Sequence, residues 1–237
     1  MIKSSVAALS CLFALAGCVH DKVLEPAAGA ALAPGRQNVA VQSTAGVNLR
    51  VTGDAWKGDP QDLGTLFTPV RVTIENHSGK TLRVSYRDFT LAGASGFHYA
   101  AIPPMKARGT LSMRQAPSSP TLQPARWEHR GFMVAPHYSY LYPGLEPWPG
   151  VFAYDPLWYD TIYSRWPERL PTQDMITEAL PEGVVQDGGS VSGFVYFQSV
   201  TSRESAVQFE MNLVDAAGGQ QFGVVAIPFT TQDQERT

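Results

Sequence analysis

Cysteine is the residue that this chain has least of: its only two copies stand at positions 11 and 18 of 237. Residues 19–237 contain no thiol, which excludes disulfide bonds, a cysteine nucleophile and thiolate metal sites from them. Charged residues are also sparse, at 16% of the chain, and the net charge is −3. Without a basic excess, nucleic acid is not an expected partner.

Short catalytic motifs are missing as well. The chain has no G-x-S-x-G elbow, no P-loop, no dinucleotide fingerprint and no H-E-x-x-H pair. His129 and His137 are eight residues apart, which is not a metal-binding spacing. Asp155 and Asp160 lie among aromatic residues, as acids do in sugar-processing clefts, but two acids in a loop are more often solvated. We therefore predict a non-enzymatic chain without catalytic residues, metal or cofactor, and an envelope hydrolase is the least favoured alternative.

The N-terminus has the organisation of an export signal. Lys3 supplies a positive charge, and residues 6–15 are apolar apart from Ser10. This run is too short to span a bilayer as a helix and suits the apolar region of a signal peptide. The run ends in Leu15, Ala16, Gly17 and Cys18.

These four residues resemble the lipobox of bacterial lipoproteins. The resemblance implies that residues 1–17 are removed as a signal peptide, that Cys18 is lipidated, and that the chain contacts the membrane through this N-terminal lipid. Val19, in place of Asp, resembles the signal for passage to the outer membrane, so the expected location is the cell envelope, at the outer membrane facing the periplasm. An ordinary secretory signal with a chance cysteine, or an uncleaved N-terminal helix, remains an alternative.

The segment after Cys18 is small and punctuated. Residues 27–33 are rich in Ala and Gly, and Pro26 and Pro34 flank them. This composition predicts a flexible tether over 18–38. A folded domain is expected over 39–230, followed by a frayed polar tail over 231–237.

The domain itself has the pattern of β-structure. Apolar and polar residues alternate over 47–51, 70–74, 82–86 and 207–213, and a glycine-bearing apolar run covers 191–200. Residues 89–91 and 97–102 suggest further short strands, and 222–229 returns after a turn at 216–219. Several short strands between turn signals predict a mainly β domain, built as a two-sheet sandwich.

Two of these segments resemble bacterial Ig-like lipoprotein domains of the envelope, a group of largely unknown function. One is PVRVTIEN at 69–76, and the other is LPEG at 180–183 followed by a glycine-bearing strand at 189–197. The resemblance covers about the first and last thirds of the exported chain. It implies an Ig-like β-sandwich and adds no activity.

The alternation stops between about 103 and 183, which predicts a long insert of loops and short helices. Residues 172–180 are expected to form one of the helices, with Thr172 as its N-cap. Within residues 127–166 lie 12 of the chain's 25 aromatic residues. The candidate binding residues are taken from this set: Tyr138, Tyr140, Tyr142, Trp148, Trp158, Tyr159 and Trp166.

These rings have two interpretations. They cover an open face of the sandwich as a second small core, which is favoured because large exposed apolar patches are unusual in soluble domains. Alternatively they form an exposed platform for a glycan, a peptide or the lipid interface. The predicted function is that of a lipid-anchored, non-catalytic envelope protein whose insert contacts another envelope component, a protein or a glycan. The alternative is a structural or assembly accessory protein that recruits partners through sandwich edge strands.

Overall fold

The computed structural model describes residues 22–107, 130–139, 142, 144–153, 170–201 and 204–233. They form eleven strands and one α-helix, α1, at Gln173–Glu178. The strands are β1 (Lys22–Pro26), β2 (Ala40–Thr44), β3 (Val47–Thr52), β4 (Phe67–Asn76), β5 (Leu82–Val84), β6 (Phe89–Gly93), β7 (His98–Ile102), β8 (Arg130–Val134), β9 (Gly183–Gln198), β10 (Ala206–Asp215) and β11 (Gln221–Asp233).

Alternating side chains explain why most of these segments are strands. In β3, Val47, Leu49 and Val51 are buried while the residues between them are more exposed. Successive side chains of a strand point to opposite faces, so this pattern places one face on the core and leaves the other wet. The turn between β2 and β3 contains Gly46 with φ of 82°. A Cβ there would lie 2.6 Å from the His77 carbonyl oxygen, so the turn requires glycine.

All the strand pairs are antiparallel and belong to one sheet in the order β1-β11-β10-β6-β7-β9-β4-β3-β2. β5 pairs with β10 and β9, and β8 pairs with β9. The sheet curls so that its two ends meet: β1 contacts β3 and β4, and β11 contacts β2. The mainly β prediction is confirmed, and the Ig-like sandwich stays a prediction.

The core lies inside this curl. Its largest fully buried side chains come from strands that are far apart in sequence, which ties the two ends of the chain together. They include Phe67, Phe89, Tyr196, Phe197, Phe209 and Phe229.

The tether prediction was wrong for the described part of that segment. β1 lies inside residues 18–38 and pairs with β11 from Lys22 to Pro26. Leu24 is buried there, and the backbone of residues 31–33 pairs with residues 39–41. The predicted domain start at residue 39 is therefore too late. Residues 1–21, with the predicted signal peptide and Cys18, lie outside the described residues.

Two further boundaries differ from the sequence prediction. β11 continues to Asp233, so residues 231–233 belong to a strand and not to a frayed tail, because they pair with β1. The predicted insert contains β8, which joins the sheet against β9. The helix prediction is confirmed: Thr172 caps α1 by accepting a hydrogen bond from the Met175 backbone N–H at 3.3 Å.

Candidate functional site

Three of the seven aromatic residues predicted to bind a ligand are described by the structure. Tyr138 is buried, whereas Tyr142 and Trp148 are half-buried. Tyr140, Trp158, Tyr159 and Trp166 lie outside the described residues. The three described rings come from the stretch that follows β8, and they differ in their surroundings.

Tyr138 and Tyr142 pack inward. Tyr138 ends the 3-10 turn Pro136–Tyr138, and its ring lies 4.5 Å from the His137 ring. The Tyr142 hydroxyl donates to the carbonyl oxygen of Ile176 in α1 at 3.4 Å. Burial raises the pKa of the Tyr142 phenol, with a smaller contribution from the Glu182 carboxylate. Both rings thus pack on the core that the strands form, Tyr138 as part of it and Tyr142 against it, and neither stands in an exposed platform.

The Glu182 carboxylate is the polar centre of this region. Glu182 lies directly before β9, and its side chain is 1% exposed. One oxygen accepts hydrogen bonds from the Ser85 hydroxyl at 2.7 Å and the Tyr86 backbone N–H at 2.8 Å. The other oxygen lies 3.1 Å from His137 Nε2. A buried carboxylate thus joins the 3-10 turn Tyr86–Asp88 to the turn after β8. We call Glu182, Ser85, Tyr86 and His137 the Glu182 cluster.

The order of groups in the Glu182 cluster decides what chemistry it favours. In serine hydrolysis the histidine must contact the serine hydroxyl in order to take its proton. Here the carboxylate occupies that middle position, and Ser85 donates to Glu182. The geometry therefore favours a structural junction: buried donors are satisfied by a carboxylate, and charge-assisted hydrogen bonds are the stronger kind.

Neighbouring groups reinforce the Glu182 cluster. The Tyr86 hydroxyl donates to the Leu180 carbonyl oxygen, and burial raises the pKa of this phenol well above its ordinary value. Beside it, Arg83 donates to both oxygens of Asp88 at 2.6 and 2.9 Å. Burial raises the pKa of Asp88, and the hydrogen bonds and charge of Arg83 oppose that rise. This second junction holds the Tyr86–Asp88 turn on β5.

Sequence reasoning missed Glu182, Ser85, Tyr86, Arg83 and Asp88. Ser85 and Glu182 are 97 residues apart, so no local spacing connects them. The available signal was weak: Asp88 is an acid directly before the apolar strand β6, and Glu182 is an acid directly before β9.

Trp148 belongs to an exposed loop. The Val134 backbone N–H donates to the Glu146 carbonyl oxygen at 2.9 Å, and the Trp148 backbone N–H donates to the Val134 carbonyl oxygen at 2.8 Å. These bonds fix the start of residues 147–151, which we call the 147–151 loop, along the outer edge of β8. The loop is then apolar in sequence, PWPGV, and ends with Val151, which is 93% exposed.

The Trp148 ring folds back over its own loop. A Cβ on Gly150 would lie 2.6 Å from Trp148 Nε1, so this position tolerates only glycine without a shift of the ring. Trp148 Nε1 is buried and has no hydrogen-bond acceptor among the described residues. Next in the chain, the Phe152 ring lies 5.6 Å from the ring of His137. The 147–151 loop thus joins the Glu182 cluster through Phe152 and His137.

The described residues show no metal or membrane-crossing element. Within the described ranges, no three histidine, cysteine or acidic side chains converge as metal ligands. In that same part of the chain, no helix has the length and apolar character needed to cross a membrane. Comparisons of the chain with protein-family models, with curated protein sequences and with solved structures find no match in any of the three.

Proposed function

We propose that this chain is a lipid-anchored, non-catalytic protein of the bacterial envelope, which binds another envelope component through its aromatic segment. Cys18 carries the anchor in this proposal, at the outer membrane facing the periplasm. The 147–151 loop is the contact surface, with Trp148 and Val151 as its apolar groups. This narrows the candidate binding residues, because Tyr138 and Tyr142 pack inward.

The exposure of Val151 on a held loop is the observation that carries the proposal. Single exposed apolar residues are common on protein surfaces. Val151 differs because it follows Trp148 in a loop whose start is hydrogen-bonded to β8. An apolar group already held in place loses less conformational entropy on binding than one on a free segment, and Trp is frequent among residues that dominate binding energy.

The geometry favours the loop over edge-strand recruitment. Strand addition requires unpaired backbone groups along an exposed edge. Residues 31–33 pair with residues 39–41 and cover the start of β2. Residues 146–148 cover β8 at Val134 in the same way. The start of β2 and the end of β8 therefore offer less free backbone than the sheet order alone suggests.

The anchor is tested by metabolic labelling with a clickable fatty acid. We expect the native chain to incorporate the label and to fractionate with membranes. Cys18→Ser is expected to lose the label, since the lipid is attached through the cysteine sulfur. Labelling that persists in Cys18→Ser would overturn the anchor.

The binding surface is tested by photo-cross-linking in cells. A photoreactive phenylalanine analogue is placed at Val151 and, as the control, at Val224, an exposed valine of β11. We expect a discrete adduct from position 151, its loss when Trp148→Ala is added, and no such adduct from position 224. Protease or glycosidase digestion of the adduct identifies it as protein or glycan. Equal adducts from both positions, or none from position 151, would contradict the loop as the binding surface.

A further inference from the structure

The predicted lipid lies very close to the first strand. β1 begins at Lys22, four residues after Cys18. An extended chain covers at most about 3.3–3.6 Å per residue, so four residues reach about 14 Å. A lipid on Cys18 would therefore hold the start of β1 within about 14 Å of the membrane surface. The long tether expected from composition would not exist.

β1 lies beside a defined end of the sheet. Lys22 is paired with Asp233, at the end of β11. On the other side of β11, Thr230 is paired with Ala206, at the start of β10, and Val207 is paired with Gly93, at the end of β6. The turn between β6 and β7 thus lies at the same end as Lys22. We call residues 22–23, 93–98, 204–206 and 231–233 the anchor end.

Hydrogen bonds to a buried glutamate hold the turn of the anchor end. Glu204 is 3% exposed, and its carboxylate accepts from the Ser95 hydroxyl and from the Ser95 backbone N–H at 3.2 Å. The Tyr99 hydroxyl donates to the same carboxylate at 3.2 Å. The Thr231 hydroxyl of β11 donates to the Glu204 carbonyl oxygen, which ties the turn to the strand beside β1.

This turn presents an exposed aromatic ring. Phe97 is 55% exposed, and it is the one aromatic residue among the exposed large hydrophobic side chains of the described residues. Its ring packs edge-on against Tyr99, with 4.8 Å between ring centroids. Since Glu204 holds Tyr99 in place, the ring of Phe97 packs on a fixed neighbour on one side and is exposed to solvent on the other.

We infer that the anchor end lies against the membrane to which Cys18 is attached, and that Phe97 contacts the lipid surface there. The short reach from Cys18 to Lys22, the placement of Lys22 and the β6–β7 turn at one end, and the open ring of Phe97 together carry this inference. It rests on the proposed lipid anchor. Phe, like Trp and Leu, is a residue that surface-bound proteins insert at the boundary between headgroups and acyl chains, and tethering raises the local concentration of lipid around the ring. The turns between β2 and β3 and between β10 and β11 then point away from the membrane.

The absence of thiols after Cys18 makes the inference measurable. Once residues 1–17 are removed and Cys18 is acylated, an introduced cysteine is the only thiol in the exported chain. Phe97→Cys places a fluorophore at the anchor end, and His98→Cys, also exposed, places one on the same turn without removing Phe97. Val224→Cys is the control. It lies seven residues before Thr231 on β11, and at about 3.3 Å per residue this is about 23 Å along the strand.

The labelled, lipidated full chains are reconstituted into phosphatidylcholine vesicles that carry a head-group nitroxide. We expect quenching at positions 97 and 98 to be severalfold stronger than at position 224, because nitroxides quench at short range. Urea unfolding midpoints check that each variant is folded, and fatty-acid labelling checks the anchor separately. Equal quenching at all three positions in lipidated protein, or stronger quenching at position 224, would overturn the orientation. Absence of the fatty acid would instead refute the proposed anchor.

Discussion

Removing the Glu182 carboxylate should be among the most damaging changes in this chain. The Ser85 hydroxyl and the Tyr86 backbone N–H both donate to it, and both residues are at most 2% exposed. In Glu182→Ala neither donor keeps this acceptor. A buried donor left without an acceptor costs about 1–3 kcal/mol. Two such donors therefore predict a loss of about 4 kcal/mol in the free energy of unfolding.

Glu182→Gln separates the hydrogen bonds from the charge. The amide oxygen still accepts from Ser85 and Tyr86, so neither donor is abandoned. Neutral acceptors form bonds of roughly half the strength of charged ones, which predicts a loss of about 1–2 kcal/mol. The measurement is urea unfolding at neutral pH, with the slope of the transition compared between variants.

The control is a glutamate in an exposed pair. Glu75 bonds to Arg50, and the two side chains are 33% and 50% exposed. Surface ion pairs contribute about 0–1 kcal/mol, so Glu75→Ala should shift the midpoint little. If Glu182→Ala costs no more than Glu75→Ala, or if Glu182→Gln is as damaging as Glu182→Ala, the reasoning about abandoned donors is refuted.

The remaining predictions concern close packing, the first strand and pH. Gly193→Ala should lower the free energy of unfolding in urea by about 3 kcal/mol, because the added Cβ would overlap the backbone of the neighbouring segment. At Gly218 the nearest atom is a side-chain oxygen 3.5 Å away, so Gly218→Ala should be almost neutral. Equal effects of the two substitutions would contradict this prediction. Leu24→Ala should cost about 2–4 kcal/mol because the side chain is 1% exposed, and a loss under about 0.5 kcal/mol would restore the tether interpretation. The hydrogen bond from the Ser95 hydroxyl lowers the pKa of Glu204, so this carboxylate stabilises the fold above the ordinary glutamate pKa, and that contribution is lost as pH falls through the lowered value. Ser95→Ala should therefore show a smaller drop in urea midpoint between about pH 6 and about pH 3 than the native chain, and an unchanged drop would refute the assignment.

Regular alternation made much of the sheet predictable. Where apolar residues recur at every second position, as in 47–51 and 207–213, β3 and β10 form as expected, because that spacing can bury one face only as a strand. The helix at Gln173–Glu178 followed from its N-cap, since Thr172 before an acidic first turn is a local signal. These elements depend on residues that are neighbours in the chain.

β1 was missed because its stability comes from a distant partner. The segment KVLEP contains one buried residue, Leu24, and the flanking charge and proline resemble a linker. Its backbone hydrogen bonds go to β11, about two hundred residues later, and no local pattern encodes that pairing. The Glu182 cluster was missed for the same reason. A single acid before a strand carries no local sequence signal, and only the fold brings Ser85 and His137 to it.

The Glu182 cluster also bears on binding by the 147–151 loop. His137 lies between Glu182 and the ring of Phe152, and Val134, three residues earlier, forms the backbone bonds that hold Trp148. Fixing His137 therefore restricts the two sides of the loop before any partner arrives. Association costs conformational entropy for each segment that it orders, so a loop ordered in advance binds more tightly for the same contacts. In the cross-linking experiment, Glu182→Gln should then weaken the adduct from position 151 although it removes no residue of the contact surface. A full-strength adduct in a folded Glu182→Gln chain would show that the loop is held by its bonds to β8 alone.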